Sequence, residues 1–530
     1  MVADDPRGSQ VKGPRAIFIG MPGAGKSTVG RRVACALGVD FRDSDELVAA
    51  REGRSVSAIF AADGEGVFRE LEADAIEWAI EEFDGVLALG GGAVLHPRTR
   101  KLLANQHVIL IEATDEELAR RVSRSRTVRP LLRANPRQEI MRLRRQRSTL
   151  YHRVASYVVL SDARPVARVV EEVVDHLKAP YRRISVGASY DVVIGSALVS
   201  QIVKLAATKA SALVVYSPDV ERYAQPIITE LKISDIPVAR FIVPPGEQCK
   251  TSEVLLDGWR AAGAAHIGRD GVVIAVGGGA TTDLGGFLAA TWLRGVDVIH
   301  VPTTLLAMVD AAIGGKTGIN TAHGKNLVGS FHPPYGVFCD LDALGTLDEA
   351  EIRAGMGEVA KCGMIADTEI LRLIMEAENA TDLAAARFEL IARSVQVKAD
   401  VVAADLRESG QREFLNYGHT LAHAIESASS YTVRHGEAVA IGCVFAAALA
   451  EAAGVAPAGI AAQHREILTK LGLPISYSGV SRGQLLGIMA SDKKVRGSRL
   501  RFVVLSDLGS PQILQPEPDF LDVAFDEVGL

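Results

Sequence analysis

AIFIGMPGAGKST, residues 16–28, sets an apolar run ahead of a glycine-rich turn that ends in lysine, serine and threonine. The apolar run reads as a strand buried on both faces, and STVGRRVACALG, from Ser27 to Gly38, reads as the helix that follows. Strand, turn and helix in that order are the setting in which G-x-x-x-x-G-K-[ST] binds a nucleoside triphosphate. Gly20, Gly23 and Gly25 let backbone amides turn inward around phosphate oxygens, and the helix N-terminus adds its positive end. Lys26 brings a point charge to the β and γ oxygens, Ser27 a hydroxyl for Mg2+, and Thr28 the next position of the cradle. ATP and Mg2+ are therefore expected at this end of the chain.

Outward from that motif, GVLALG, HVILIEA and YVVLS supply further buried-strand runs between stretches of helical period. The helix-like ARVVEEVVDHLK stops at Pro180, and RRISVGASYDVVIG opens a second strand-rich segment that continues through ALVVYS, GVVIAVG and DVIHVP. After Leu341 the pattern turns almost wholly helical. The fold class is α/β: a disordered N-terminus over 1–13, a P-loop, nucleoside-monophosphate-kinase-like parallel-sheet domain over 14–178 and a linker over 179–184. A nucleotide-type α/β lobe over 185–341 and an α-helical lobe over 342–530 complete it. A chain of 530 residues is too long for one core. A net charge of −6, with 23% charged and 5% aromatic residues, argues for small-molecule substrates and against nucleic acid. No apolar run of about 18 residues free of glycine and charge suggests a membrane span. Five scattered cysteines, none in a CxxC pair, argue against a disulfide framework and favour the cytoplasm.

DFRDSDELVAAREGRSVSAIFAADGEGVFRELE, residues 40–72, carries Asp43 and Asp45 and then Arg69; LGGGAV follows at a strand end, and RSTLY supplies Arg147. Together with the P-loop these resemble shikimate kinase over nearly all of residues 14–178. The resemblance implies that Asp43 organises Mg2+ and that Asp45 contacts shikimate hydroxyls as candidate base. Arg69, Gly91 and Arg147 would bind the carboxylate. The chemistry agrees: a carboxylate wants forked guanidinium donors, glycine permits close approach to a ring, and a carboxylate beside a hydroxyl takes its proton. RRVSRSRTVRPLLRANPR, residues 120–137, is the lid in this resemblance, with Arg129 closing over the phosphates to exclude water and Arg121 near the adenine.

GVVIAVGGGATTDLGGFLAATW, residues 271–292, is a second strand, glycine turn and helix start, placing Gly278, Gly279 and Asp283 where a pyrophosphate would sit. Thr282 breaks the G-x-G-x-x-G pattern. PPGEQCKT offers Glu247 and Lys250, and residues 300–334 are too rich in glycine, lysine and threonine for a plain core segment, which points to an anionic ligand. In NYGHTLAH, residues 416–423, His419 and His423 stand four apart on one helix face, and by spacing alone both read as metal ligands.

GGGATTDLGGF, RGVD, VPTTLLAMVDAAIGGKTGIN, GKNLVGSFHPP, GEVAKCG, LNYGHTLAHA, RHGEAVAIG and SDKK together resemble 3-dehydroquinate synthase over roughly residues 185–510. The resemblance implies an NAD-binding α/β lobe, a helical metal-binding lobe, and Zn2+ or Co2+ held by Glu358, His419 and His435. Two imidazoles and one carboxylate with positions left open mark a catalytic metal. His423 is then assigned to hydrogen bonding and proton traffic beside it. NAD+ would meet Glu247, Lys250, Gly278, Gly279, Asp283, Thr303, Thr304, Lys316 and Lys325. Cations for the substrate's phosphate and carboxylate would be Lys316, Lys325, Lys361, Lys398, Arg412 and Lys493, with Asp310, Asn326 and Asn416 nearby. Lys316 and Lys361, in apolar or glycine-rich flanks, are expected to be the most enclosed. Arg294 of RGVD would reach the phosphate of a neighbouring subunit, implying a homodimer through this part. The expectation is thus a fusion of two enzymes serving aromatic amino-acid precursor synthesis. The rival reading, an ATP-sensing regulatory domain fused to a polyol dehydrogenase, is disfavoured by intact Asp45, Arg69 and Arg147 and by the lysine-rich pocket.

Overall fold

The computed structural model describes residues 13–124, 136–162, 164–179, 181–406, 410–493 and 500–530. The chain forms two compact units. The first comprises Met1–Tyr181 with Gly195–Ala212 and Arg222–Ala239; the second comprises Arg182–Ile194, Leu213–Glu221 and Arg240–Leu530.

The first unit is built on strands β1 (Ala16–Ile19), β2 (Asp40–Asp43), β3 (Gly85–Ala88), β4 (Val108–Glu112) and β5 (Tyr157–Leu160), in the order β2-β3-β1-β4-β5. All four pairings are parallel. β1 and β3 are buried along their whole length, which is why their sequences are unbroken apolar runs. β2, at the edge, alternates exposed and half-buried residues and ends at Asp43, whose side chain caps the helix Ser44–Glu52. The helices Val199–Ala206 and Glu221–Ile233, which the sequence reading puts in residues 185–341, group with this unit. One reason is visible in the contacts: Thr149 Oγ1 donates to Asp235 Oδ2 at 2.7 Å, and His152 bonds Glu230.

The remaining elements include a seven-stranded sheet of β6 (Arg182–Val186), β7 (Tyr190–Gly195), β8 (Ala212–Tyr216), β9 (Val238–Ile242), β10 (Val272–Gly277), β11 (Asp297–Pro302) and, after the β12–β13 hairpin, β14 (Gly336–Asp340). Its order is β6-β7-β14-β11-β10-β8-β9. β10 is wholly buried and pairs in parallel with β11, so the glycine turn at its end emerges from mid-sheet. The hairpin of β12 (Lys316–Thr321) and β13 (Gly324–Phe331) occupies the glycine- and lysine-rich segment.

The helical part centres on His435–Ala452, which is long and apolar enough to cross a membrane by composition but is 78% buried, the mark of a core helix. Small residues let other backbones reach it. A Cβ on Gly436 would lie 1.7 Å from the Ala354 carbonyl oxygen, and one on Gly442 would lie 2.0 Å from that of Gly418. The region after Leu341 is not wholly helical: β15 (Phe502–Asp507) and β16 (Ser510–Leu514) form an antiparallel hairpin. FVVL there is buried throughout, and so short an apolar run has no period that separates strand from helix.

Candidate active sites

In the first unit the P-loop turns through Gly23 and Gly25 at φ of +89° and +105°, values that favour glycine, before the helix Lys26–Leu37 begins. Lys26 Nζ is held over the loop by the carbonyls of Gly20 at 2.9 Å and Met21 at 3.2 Å. Ser27 Oγ donates to Asp43 Oδ2 at 2.7 Å, so the two residues expected to manage Mg2+ are already joined. Arg121 donates to the carbonyls of Ala24 and Ser161 at 3.1 and 2.7 Å. It lines, with Gly25, Lys26, Thr28 and Arg164, a cavity of about 460 Å³. Ser161 and Arg164 belong to this wall although no motif pointed to them. Arg129 lies outside the described residues.

Asp45, Arg69, Gly91 and Arg147 are brought together around the triple glycine. A Cβ on Gly92 would strike the Arg69 guanidinium at 1.9 Å, and one on Gly90 would sit 2.8 Å from Asp45 Oδ1. Arg147 Nη1 and the Tyr151 hydroxyl donate to the Gly91 carbonyl at 2.9 and 2.5 Å. The Nε groups of Arg69 and Arg147 are buried without hydrogen-bond partners, donors that a carboxylate ligand would satisfy. Glu72, which sequence reasoning passed over, takes Arg69 Nη1 at 2.5 Å and the Ser44 hydroxyl at 3.0 Å. Burial pushes its carboxyl up to about 7, Asp45 adding to the rise and Arg69 opposing it. The i,i+3 spacing of Arg69 and Glu72 was the available signal.

In the second unit Glu358, His419 and His435 each offer a ligand atom within 4.8 Å of the others. Glu358 comes from the helix Glu349–Ile365, His419 opens His419–Ala428, and His435 opens His435–Ala452. Glu358 Oε1 is 3.4 Å from Nε2 of each imidazole. Bonds of about 2.1 Å at tetrahedral angles set ligand atoms about 3.4 Å apart. That Oε1 is buried and has no hydrogen-bond partner, an atom a cation would satisfy. The residues therefore fit a divalent metal. Burial would raise the Glu358 carboxyl, but Lys361, His419 and His435 outweigh it and hold it well below its usual range. His423 is exposed, its ring 5.4 Å from that of His419 and 6.3 Å from that of His435.

Lys361 adjoins the triad, and Lys398 feels the charges of Lys361 and Arg412. Lys361, 2% exposed, holds Glu358 Oε2 at 2.5 Å and donates to the Leu415 carbonyl at 2.7 Å. Lys398 bonds the Asp310 carboxylate and donates to its carbonyl at 2.6 Å; Asp310 lies in the π-helical turn Ala307–Ala311. Arg412, also 2% exposed, donates to the carbonyls of Leu406 at 2.5 Å and Gly314 at 3.1 Å. Burial lowers the Lys398 ammonium, Asp310 opposes this, and the positive Lys361 and Arg412 add to it, so an arriving anion would relieve the crowding.

At the nucleotide turn Gly278 precedes the helix Gly279–Thr291, and a Cβ on Gly278 would lie 3.2 Å from Thr304. Thr303 is buried, its amide donating to Gly277 at 2.9 Å. Lys250 is buried and joins Asp283 at 2.6 Å and Asn326; Glu247 accepts from Asn320 at 2.6 Å. Burial pushes Asp283 up to about 6 against the pull of Lys250. Lys325 lies 3.8 Å above the Tyr431 ring. The expectation that Lys316 is enclosed like Lys361 is overturned: Lys316, the first residue of β12, is exposed, whereas Thr317, Gly318 and Ile319 after it are buried. Arg294 is exposed, Asn416 is half-buried, and of Lys493 only the backbone, ending the helix Arg482–Lys493, is described.

Models of two families match successive parts of the chain. The shikimate kinase model matches residues 22–178, and the N-terminal and C-terminal models of 3-dehydroquinate synthase match 240–354 and 355–495. The 3-dehydroquinate synthase of Thermobifida fusca is 51% identical over 346 residues, covering 64% of this chain and 94% of the relative. That of Mycobacterium leprae is 48% identical, covering 65% and 96%. Among solved structures, 2-epi-5-epi-valiolone synthase from Streptomyces hygroscopicus subsp. jinggangensis, with NAD+ and Zn2+ bound, matches with a TM-score of 0.59 at 25% identity over 66% of this chain and 99% of its own. A 2-deoxy-scyllo-inosose synthase complexed with carbaglucose-6-phosphate, NAD+ and Co2+ matches at 0.58 and 25%, over 66% of this chain and 100% of its own. The chain belongs to the 3-dehydroquinate synthase family and carries a shikimate kinase domain ahead of it.

Proposed function

We propose that this chain catalyses two reactions of aromatic amino-acid precursor synthesis. Its first part phosphorylates shikimate to shikimate 3-phosphate with ATP and Mg2+. Its second part converts 3-deoxy-D-arabino-heptulosonate 7-phosphate to 3-dehydroquinate and phosphate. One observation carries the second assignment: the orphaned Glu358 Oε1 equidistant from two imidazoles, with buried Lys361 on the carboxylate's other oxygen.

In the kinase, Asp45 takes the proton of the attacking hydroxyl while Arg69 and Arg147 grip the carboxylate and Lys26 meets the phosphates. In the synthase, Glu358, His419 and His435 would hold Zn2+ or Co2+, and Gly278, Gly279, Asp283 and Lys250 would hold NAD+. Bound metal supplies Lewis acidity to a substrate hydroxyl, and bound NAD+ a reversible hydride acceptor. Lys361, Lys398 and Arg412 fix the substrate's anionic groups, and His423 carries a proton beside the metal site. Arg294, contributed across a homodimer, and residence in the cytoplasm complete the proposal.

One preparation assayed twice tests it. The sugar-acid phosphate with NAD+ at catalytic amounts should release phosphate without net NADH, and shikimate with ATP should release ADP. NADH accumulating with substrate, or ATP bound without shikimate-dependent ADP release, overturns the corresponding half.

A further inference from the structure

His435 uses both ring nitrogens. Its Nε2 faces Glu358 at 3.4 Å, while its Nδ1 meets Glu426 Oε2 at 3.1 Å. Glu426 is 8% exposed and sits seven residues after His419 on the helix His419–Ala428, so one helix face carries a metal-site imidazole at its start and a carboxylate two turns on. An ionised carboxylate only accepts, so the shared proton belongs to Nδ1 and the Nε2 lone pair is left for the metal side. His419 is treated in the same way by other means: its Nδ1 lies 3.1 Å from the Tyr417 carbonyl oxygen. Of the two orienting acceptors only Glu426 is a side chain. The groups facing it are His435 and, farther off, His423, Lys325 and Tyr431.

We infer that Glu426 is a positioning residue of the synthase site, a carboxylate that fixes the tautomer and ring orientation of His435 and strengthens it as a metal ligand. The inference rests on the metal-site reading above. Partners of this kind are worth about 10–100-fold in metal affinity.

The test uses the full chain, stripped of metal and titrated with Zn2+ against a chromophoric chelator, alongside the visible spectrum of the Co2+-loaded protein. Glu426→Ala should weaken Zn2+ binding about 10–100-fold and alter the Co2+ bands, with shikimate-dependent ADP release unchanged as the control that the effect is confined to the second unit and the circular dichroism spectrum as the control for folding. Glu426→Gln, which keeps an acceptor oxygen but loses the charge, should recover part of that loss. A folded Glu426→Ala with unaltered Zn2+ affinity and Co2+ spectrum overturns the inference. If Glu426→Ala does not fold, unaltered Zn2+ affinity in Glu426→Gln overturns it instead. Failure of the unsubstituted chain to bind Zn2+ would defeat the metal-site reading, a distinguishable result.

Discussion

Glu358 is a fully buried carboxylate with one oxygen on Lys361 and the other turned toward two imidazoles, an arrangement stable only when positive charge surrounds it. His419→Ala removes one of the two nitrogens and should abolish Zn2+ binding and 3-dehydroquinate formation. Shikimate-dependent ADP release should persist, because its groups lie in the other unit. Metal analysis with both assays on one sample checks this, and joint loss would contradict two independent sites. Some of this detail is readable from motifs: Glu358 and His435 stand in the recognisable GEVAKCG and RHGEAVAIG. Glu72 and Glu426 are ordinary glutamates in helical sequence, and only their neighbours in space give them roles. Lys316 shows the opposite error, since glycine-rich flanks implied enclosure and the hairpin turned it outward.

Among the elements, three helices meet closely enough to share an ion because glycines stand beside each ligand: Gly357 before Glu358, Gly418 before His419 and Gly436 after His435. A Cβ on Gly357 would lie 2.4 Å from the Gly436 carbonyl oxygen, and Gly418 itself has φ of +79°. Gly436→Ala should therefore push the helix of His435 away from that of Glu358. We expect a loss of about 1–3 kcal/mol in stability, read from the denaturation midpoint, with a larger proportional loss of Zn2+ affinity. Helix existence was legible from periodicity, whereas the β12–β13 and β15–β16 hairpins were not, because their pairing depends on partner strands rather than on any period within them.

At the scale of whole units, the first is tied together by His152, whose ring lies between Glu112 at 3.0 Å and Glu230. Burial would lower this imidazole, but the two carboxylates outweigh it and push it up to about 9 from an ordinary 6.5. Between those values the folded unit binds more protons than the unfolded chain, so stability falls as pH rises. The contribution is complete below about 6.5 and lost through about 9. Melting of the full chain, followed by shikimate-dependent ADP release after heating, should shift to lower temperature between pH 7 and 9.5. His152→Asn should flatten that dependence and cost about 1–3 kcal/mol at pH 7, because two partly buried carboxylates lose their partner. A pH response that His152→Asn leaves unchanged would assign it to other groups.

By itself the sequence determined the P-loop, the alternation of buried strands with helices, the two enzyme families and the identity of the residues able to bind phosphate or metal. These are local properties: a glycine turn, an apolar run or a histidine pair carries its chemistry in the order of neighbouring residues. Tertiary structure alone decided the 3.4 Å at which Glu358 Oε1 stands from the imidazoles of His419 and His435, residues up to 77 positions away, that Glu426 backs His435, and that helices Val199–Ala206 and Glu221–Ile233 join the first unit. Such meetings depend on close-packed backbones and on burial of charge, which are set by distances in space that no spacing along the chain records.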